Sequence, residues 1–178
     1  MSATITRPPC HRLRRLHHID NPVYNACRLP VRSVARDATN QYEGSVIPAL
    51  LRGRTILIVD DDDGVRGALA EMFMGMDVDV HPAVHGLHGL QQLEQCRPDV
   101  ILSDLAMPAM GGLEFAQRVR QDLRFRHTPL IAMTGNVPIG MEIANAGFDG
   151  YLEKPFLFAS LVELAWRLLD SRDDRRSA

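Results

Sequence analysis

The sequence predicts an α/β fold in which a doubly wound parallel sheet of five strands carries helices on both faces. From residue 55 onward, short β-branched apolar runs alternate with helical segments. The runs are almost continuously apolar, as parallel strands covered on both faces are. Polar residues that suit a phosphate or a metal follow several of these runs, and ligands of such sheets gather where the strands end.

Each element is assigned from its local pattern. The strands are predicted, in chain order, from ILIV at 56–59, VDV at 78–80, VIL at 100–102, LIAM at 130–133 and YLE at 151–153. Helical periodicity predicts the intervening helices at GVRGALAEMFMGM, LHGLQQLEQC, LEFAQRVRQDL and PIGMEIANAG, and a fifth helix at LFASLVELAWRLLD. One helix after each strand favours a single α/β domain over residues 53–170, followed by a charged tail at 171–178.

Residues 1–52 are predicted to be a separate, largely disordered extension, because they are rich in arginine and prolines interrupt any period. Their composition is also typical of a transit peptide, or of a translated stretch upstream of the true start. Cys10, His11, His17, His18 and Cys27 lie here, but their spacing fits no common zinc pattern.

The composition excludes several function classes. A net charge of -2 gives no bulk attraction to nucleic acid. Three cysteines form no paired framework, which favours a reducing compartment. No apolar run approaches the roughly 20 residues of a membrane span. We therefore expect a soluble, cytoplasmic protein without a membrane partner.

An acidic run follows the first predicted strand. It comprises Asp60, Asp61, Asp62 and Asp63. Clustered carboxylates repel one another, and a divalent cation removes that penalty. Because Mg²⁺ prefers carboxylate, carbonyl and water oxygens, Asp60, Asp61 and Asp104 are candidate ligands. Asp62 and Asp63 are interpreted instead as residues of the loop and the helix N-terminus, where acids suit the helix dipole.

Asp104, Thr134 and Lys154 each end a different predicted strand. A carboxylate presented at such an end can attack phosphorus and form an acyl phosphate. The Thr134 hydroxyl and the Lys154 ammonium can then hold oxygens of the transferred group and, with a metal, stabilise its charge. Lys154 is the only lysine of the chain, which indicates that a compact ammonium is needed there.

Residues 55–170 resemble the receiver domain of two-component response regulators, and stand-alone chemotaxis regulators in particular. The matching motifs are ILIVDDDDGVR, DVILSDLAMPAMGGLEF, PLIAMTGN and GFDGYLEKPF. The interval from Asp104 to Thr134 (134 - 104 = 30) agrees with that family. The resemblance implies a flavodoxin-like receiver fold.

The resemblance also implies a role for each site residue. It makes Asp60 and Asp61 the acidic pair for Mg²⁺, Asp104 the phosphoacceptor and a metal ligand, Ala106 the donor of a backbone carbonyl to the metal, and Thr134 and Lys154 the phosphate ligands. It makes Tyr151 the aromatic residue that couples with Thr134 on activation, although a plain strand residue fits equally well. Ala106 and Asn136 stand at the positions that tune the lifetime of the phosphoryl group.

The function that the resemblance implies is a single-domain response regulator. Asp104 accepts a phosphoryl group from a histidine kinase or a histidine phosphotransfer protein, with Mg²⁺ as cofactor. Such a protein is a signalling phosphoacceptor that catalyses only its own phosphorylation and dephosphorylation, and not otherwise an enzyme.

Because the chain ends eight residues after the fifth predicted helix, we expect the output to pass through a protein-binding surface formed by helix four, strand five and helix five. On helix five, Leu157, Leu164 and Trp166 widen the apolar arc to roughly 200°, more than one buried face needs. The arc would contact a downstream protein or a second copy in a homodimer. The alternative is that Leu157 and Trp166 only cover the edge of the core.

Two other functions fit parts of the sequence less well. In a nucleic-acid-associated regulator the arginine-rich extension would be the output, but it has few aromatic residues and no helical reading motif. In a haloacid-type phosphatase a second aspartate would stand two residues after Asp104, where this chain has Ala106.

Overall fold

The structure is a computed structural model that describes residues 32–33, 51–135 and 140–176. Within these ranges five strands and five helices alternate after residue 51. They are β1 (Thr55–Val59), α1 (Asp63–Met74), β2 (Asp79–Ala83), α2 (Gly86–Leu93), β3 (Val100–Asp104), α3 (Gly112–Gln121), β4 (Leu130–Thr134), α4 (Gly140–Ala146), β5 (Gly150–Glu153) and α5 (Phe158–Arg176). A two-residue edge strand, Arg32–Ser33, precedes them.

All neighbouring strands are parallel, which confirms the predicted sheet. Their order is β2-β1-β3-β4-β5, and the edge strand pairs with β5. In this order β2 and β3 are the neighbours of β1 on its two opposite edges, so the strand order reverses at β1. A crevice therefore forms between the carboxyl ends of β1 and β3. Val59 pairs with Ser103 in this register, and the residues that follow, Asp60 and Asp104, therefore lie on either side of the crevice.

The core consists of two layers, one on each face of the sheet. Alternate residues of β1 point to opposite faces, because a strand has a period of two. Ile56 and Ile58 pack with α1 and α5, whose buried residues include Phe73 and Leu161. Leu57 and Val59 belong to the other layer, together with Phe115 of α3 and Ile143 of α4. The helices therefore cover both faces, as the continuous apolar strands predict.

Most element boundaries lie within three residues of the predicted ones, and three other features differ more clearly. β2 runs from Asp79 to Ala83 rather than over 78–80 and contains Pro82. It tolerates a proline because it is an outer strand of the sheet, where one row of amides needs no partner. The edge strand falls in a segment for which no strand was predicted, and α5 continues to Arg176, into the predicted tail. None of the helices in the described ranges is long and apolar enough to cross a membrane.

Candidate functional site

Two carboxylates and one ammonium meet at the crevice between β1 and β3. The Nζ atom of Lys154 lies 2.7 Å from Oδ2 of Asp60 and 2.7 Å from Oδ1 of Asp104. The Asp60 side chain is 1% exposed and the Lys154 side chain 23%. Three predicted site residues, from three different strand ends, are therefore in direct contact in a largely buried place.

The backbone around Asp60 fixes that carboxylate. The Asp60 amide donates to the carbonyl oxygen of Ala83 at 3.1 Å, which ties the end of β1 to the end of β2. Oδ1 of Asp60 accepts from the amide of Asp62 at 3.0 Å. The guanidinium of Arg66, on α1, donates to the carbonyl oxygen of Asp60 at 2.7 Å. These three hydrogen bonds therefore fix the position of the loop after β1.

Asp62 lies at the N-terminus of helix α1, as interpreted from the sequence, and the structure shows that it caps this helix. Its Oδ1 accepts from the amides of Gly64 and Val65 at 2.8 and 3.0 Å. These two hydrogen bonds lower the pKa of Asp62. Asp63 lies in the first turn, where it pairs with Arg66. Of the acidic run, only Asp60 and Asp61 are left for the crevice, and Asp61 is exposed.

Both carboxylate oxygens of Asp104 accept a hydrogen bond. Oδ2 accepts from the backbone amide of Ala106 at 2.7 Å, while Lys154 donates to Oδ1. The Ser103 hydroxyl donates to the carbonyl oxygen of Asp104 at 2.9 Å. The amide of Gly112 donates to the carbonyl oxygen of Leu105 at 3.0 Å and closes the loop that leads into α3. The carboxylate consequently has a fixed orientation toward the crevice.

Thr134 and Tyr151 occupy neighbouring strands but different surroundings. Thr134 is buried at the end of β4, and its carbonyl oxygen accepts from the amide of Lys154 at 2.7 Å, which joins two predicted phosphate ligands through the backbone. Tyr151 pairs in register with Ala132 and is buried in the layer that contains α2, α3 and α4. Asn136, and residues 1–31 and 34–50 with their proposed nucleic-acid role, lie outside the described residues.

Burial and pairing oppose each other in this site. Burial raises the pKa of Asp60, and the hydrogen bonds from Lys154 and from the Asp62 amide oppose that rise only in part. Burial of the Lys154 ammonium lowers its pKa, but the hydrogen bonds to Asp104 and Asp60 outweigh burial and leave the pKa raised. The lysine therefore stays charged, and among the described residues it is the one cation that contacts both buried carboxylates.

The donor chemistry fits a hard cation. The available groups are carboxylate and carbonyl oxygens, which Mg²⁺ prefers. Among the described residues, no three His, Cys, Asp or Glu side chains converge closely enough to enclose a metal by themselves. Mg²⁺ commonly binds through one or two carboxylates and keeps several waters, so an open arrangement of this kind still suits it.

Lys154→Met is expected to lower the free energy of unfolding by about 2 kcal/mol in metal-free buffer at neutral pH. Two buried carboxylates lose a charged donor, and the value allows for the partial exposure of the ammonium. Because the pKa of Asp60 is raised in the folded state, its contribution to stability is present at low pH and is lost as the pH rises through that pKa. Without Lys154 this pKa rises further.

The loss of unfolding free energy in the Lys154→Met variant, relative to the wild type, should therefore be largest at neutral pH. It should become smaller as the pH falls toward 3.8, the ordinary pKa of aspartate. Urea unfolding at several pH values measures it. Arg118→Met is the matched control, since it removes an exposed cation whose one ion-pair partner among the described residues is Glu114. A deficit that did not change with pH would contradict the ion-pair explanation.

The sequence did not predict two features of the site. Arg66 contacts the backbone of Asp60, and the only available signal was an arginine one turn into the helix after the acidic run. The Lys154–Pro155 peptide bond is cis.

Comparison with known proteins shows which family the domain is similar to. Residues 56–165 match the family model described as response regulator receiver domain. Curated relatives include the DNA-binding dual master transcriptional regulator RpaA of Synechocystis, 34% identical over 66% of this chain and 50% of its own length. Sensor histidine kinase CheAY of Helicobacter pylori is 31% identical over 67% of this chain and 15% of its own. The chain spans half or less of the length of these relatives.

Solved structures agree with the fold over the same region. Chemotaxis protein CheY4 of Vibrio cholerae has a TM-score of 0.62 and 30% identity, and the match covers 65% of this chain and 98% of that one. The receiver domain of sensor histidine kinase PA1611 from Pseudomonas aeruginosa, described with a magnesium ion coordinated in the active site cleft, has a TM-score of 0.62 and 28% identity, over 66% of this chain and 98% of that one.

Proposed function

Because the chain belongs to the family of response regulator receiver domains, which act in two-component signalling, we propose that it accepts a phosphoryl group on Asp104. The donor is a histidine kinase or a histidine phosphotransfer protein, and the reaction takes place in the cytoplasm. The single observation that carries the proposal is the contact of Lys154 with both Asp60 and Asp104 at 2.7 Å. A buried carboxylate is presented there beside a cation that can receive the charge of a phosphoryl group.

In the proposed reaction the Asp104 carboxylate attacks phosphorus. An O–P bond forms while the bond from phosphorus to the donor's leaving group breaks, and the leaving group keeps the electron pair. The Lys154 ammonium and the Thr134 hydroxyl then donate to phosphoryl oxygens. Their task is to stabilise charge, which supplies most of the catalysis in phosphoryl transfer. The domain is thus a phosphoacceptor and catalyses only reactions of its own phosphoryl group.

Mg²⁺ would be held by Asp60, Asp61, Asp104 and the backbone carbonyl of Ala106. When bound, it neutralises part of the negative charge that gathers as phosphate approaches the carboxylates. This assignment is supported by the burial of Asp60 and Asp104 at the crevice. It is also supported by Asp61, which directly follows Asp60 and is exposed.

Asp61→Asn is expected to weaken Mg²⁺ binding by roughly tenfold or more, because a charged ligand becomes neutral. The rise in thermal midpoint that Mg²⁺ causes in the wild-type protein should be much smaller in the variant. Asp63→Asn is the matched control, since Asp63 lies two residues further on, in the first turn of α1, and pairs with Arg66. Equal responses of both variants to Mg²⁺ would argue against Asp61 as a ligand.

The output surface is proposed to lie on α4, β5 and α5, where a downstream protein or a second copy would bind. Leu157 is 67% exposed and Met141 on α4 is 69% exposed. Leu164 is buried and Trp166 packs partly buried against the core, so the exposed part of the predicted arc narrows to Leu157. In the proposed switch, phosphorylation acts through Thr134 and Tyr151 to change this surface.

Leu157→Ser is expected to weaken association of the phosphorylated protein with itself or with its target, without loss of stability, because the side chain makes little contact with the core. Sedimentation equilibrium with and without phosphodonor measures association of the protein with itself. A pull-down experiment measures association with a target protein. Leu123→Ser is the control, an exposed leucine after α3 on another part of the domain. If both variants associated like the wild type, this surface would not be the output.

The direct test of phosphoacceptor function is intact-mass measurement after incubation with acetyl phosphate, with and without Mg²⁺. The expected result is the gain of one phosphoryl group that depends on Mg²⁺. No gain under conditions that trap short-lived acyl phosphates would contradict the proposal.

A further inference from the structure

A second candidate site lies at the opposite end of the sheet from Asp104. It is a cavity of about 200 Å³. Four arginines reach it from different parts of the domain, and we call it the arginine cavity. Its basic lining consists of Arg54, Arg97, Arg124 and Arg172. Asp99 is the one acidic side chain among the described residues that line it, so the cavity suits an anion.

Two of the four arginines already have carboxylate partners. Nη1 of Arg54 lies 3.1 Å from Oδ1 of Asp99, just before β3. Nη1 of Arg124 lies 3.0 Å from Oε2 of Glu94, at the end of α2. These pairs hold the two guanidinium groups in place and neutralise them. The charge available for a ligand must therefore come from the other two arginines.

Arg97 and Arg172 supply that charge. Neither forms an ion pair with any side chain in the described part of the domain. The guanidinium carbon of Arg97 lies 5.1 Å from the centroid of the Phe125 ring, and that of Arg124 is also 5.1 Å from the same ring. Arg124 pairs with Glu94 and Asp122, so the charge beside the ring that a bound anion would neutralise is that of Arg97.

The chemistry and size of the cavity indicate the class of ligand. A guanidinium presents a planar fork of donors that matches phosphate oxygens in pairs. The cavity is smaller than the roughly 300–1,000 Å³ of typical drug-sized ligand sites. We propose that the arginine cavity binds a diphosphate group, either as free inorganic pyrophosphate or as the phosphate end of a nucleoside diphosphate.

The arginine cavity is separate from the phosphoacceptor site. Arg54 directly precedes β1 and Asp99 directly precedes β3, whereas Asp60 and Asp104 stand at the other ends of these strands. Each strand has five residues and spans roughly 16 Å. A diphosphate bound there does not compete with a phosphoryl group on Asp104, and the proposal is independent of the proposed function.

Isothermal titration calorimetry of the full chain, in 0.15 M salt without Mg²⁺, tests the proposal with inorganic pyrophosphate and with ADP as separate ligands. We expect at least one of the two ligands to bind, with one molecule of ligand per protein chain. Tighter binding of ADP would identify a nucleotide as the ligand, and tighter binding of pyrophosphate the free anion. The double variant Arg97→Gln, Arg172→Gln should weaken binding by roughly tenfold or more.

Arg118→Gln is the matched control, because it removes an exposed arginine of α3 that does not line the cavity. It should bind both ligands like the wild type. The double variant should still accept a phosphoryl group in the intact-mass assay, and Asp104→Asn should still bind pyrophosphate, so the two proposals fail separately. Absence of binding by both ligands, or an equal loss in the double variant and in Arg118→Gln, would overturn the proposal.

Discussion

Asp104→Asn is expected to abolish phosphorylation, with a loss of at least about a thousandfold in the rate of acyl phosphate formation, because the amide lacks the nucleophilic carboxylate. The substitution preserves the shape of the side chain, and its carbonyl oxygen can still accept from Lys154 or from the Ala106 amide. We therefore expect the fold to survive. Incorporation of labelled phosphate from acetyl phosphate measures the loss, and circular dichroism checks the fold.

Asp170→Asn provides the matched control for that experiment. Asp170 is exposed on α5, and its substitution makes the same change of charge. It should accept phosphate at the wild-type rate. Retained phosphorylation in Asp104→Asn would mean that another side chain is the acceptor, and the assignment of Asp104 would be withdrawn.

Gly112→Ala is expected to destabilise the protein by about 3 kcal/mol or more. A Cβ atom at residue 112 would lie 2.1 Å from the carbonyl oxygen of Asp104 and 2.9 Å from the Cα atom of Leu105. Both are backbone atoms, so relief requires a shift of the loop that carries the acceptor. The molecules that still fold should therefore also phosphorylate slowly.

Gly67→Ala is the matched control and should change stability in the opposite direction. Gly67 lies in α1, and a Cβ atom there would have no neighbour within 4 Å. Alanine in an exposed helix interior is favoured over glycine by roughly 0.5–1 kcal/mol. Chemical denaturation of both variants gives the comparison. Equal stability of Gly112→Ala and the wild type would show that the loop after β3 is not packed as described.

The convergence of the site was predictable in part from topology. In a doubly wound sheet the carboxyl ends of the strands lie at one edge, so Asp60, Asp104 and Lys154 were expected on the same side of the domain from their positions in the sequence. Two strands separate β1 from β5, however, and Lys154 reaches Asp60 through its side chain. The place of Asp62 at a helix N-terminus was predictable from the start of the next helical pattern, but its hydrogen bonds as the helix cap were not predicted.

Other features depend on packing that a single sequence does not specify. The periodicity of α5 predicts a wide apolar arc, but it does not show which side chains of the arc are buried by neighbouring helices or strands. The structure buries Leu164 and leaves Leu157 exposed. The contact of Arg66 with the Asp60 backbone depends on the angle at which α1 leaves its loop. The arginine cavity joins residues far apart in the chain, from Arg54 to Arg172, and no local pattern marks it.

Locating the phosphoryl group itself shows whether Asp104 is the acceptor. Borohydride reduces an aspartyl phosphate to homoserine, and peptide mass spectrometry then identifies the reduced residue. After treatment with acetyl phosphate and Mg²⁺, we expect homoserine at residue 104, and none when Mg²⁺ is withheld. Reduction at any other aspartate in the phosphorylated protein, with residue 104 unchanged, would contradict it.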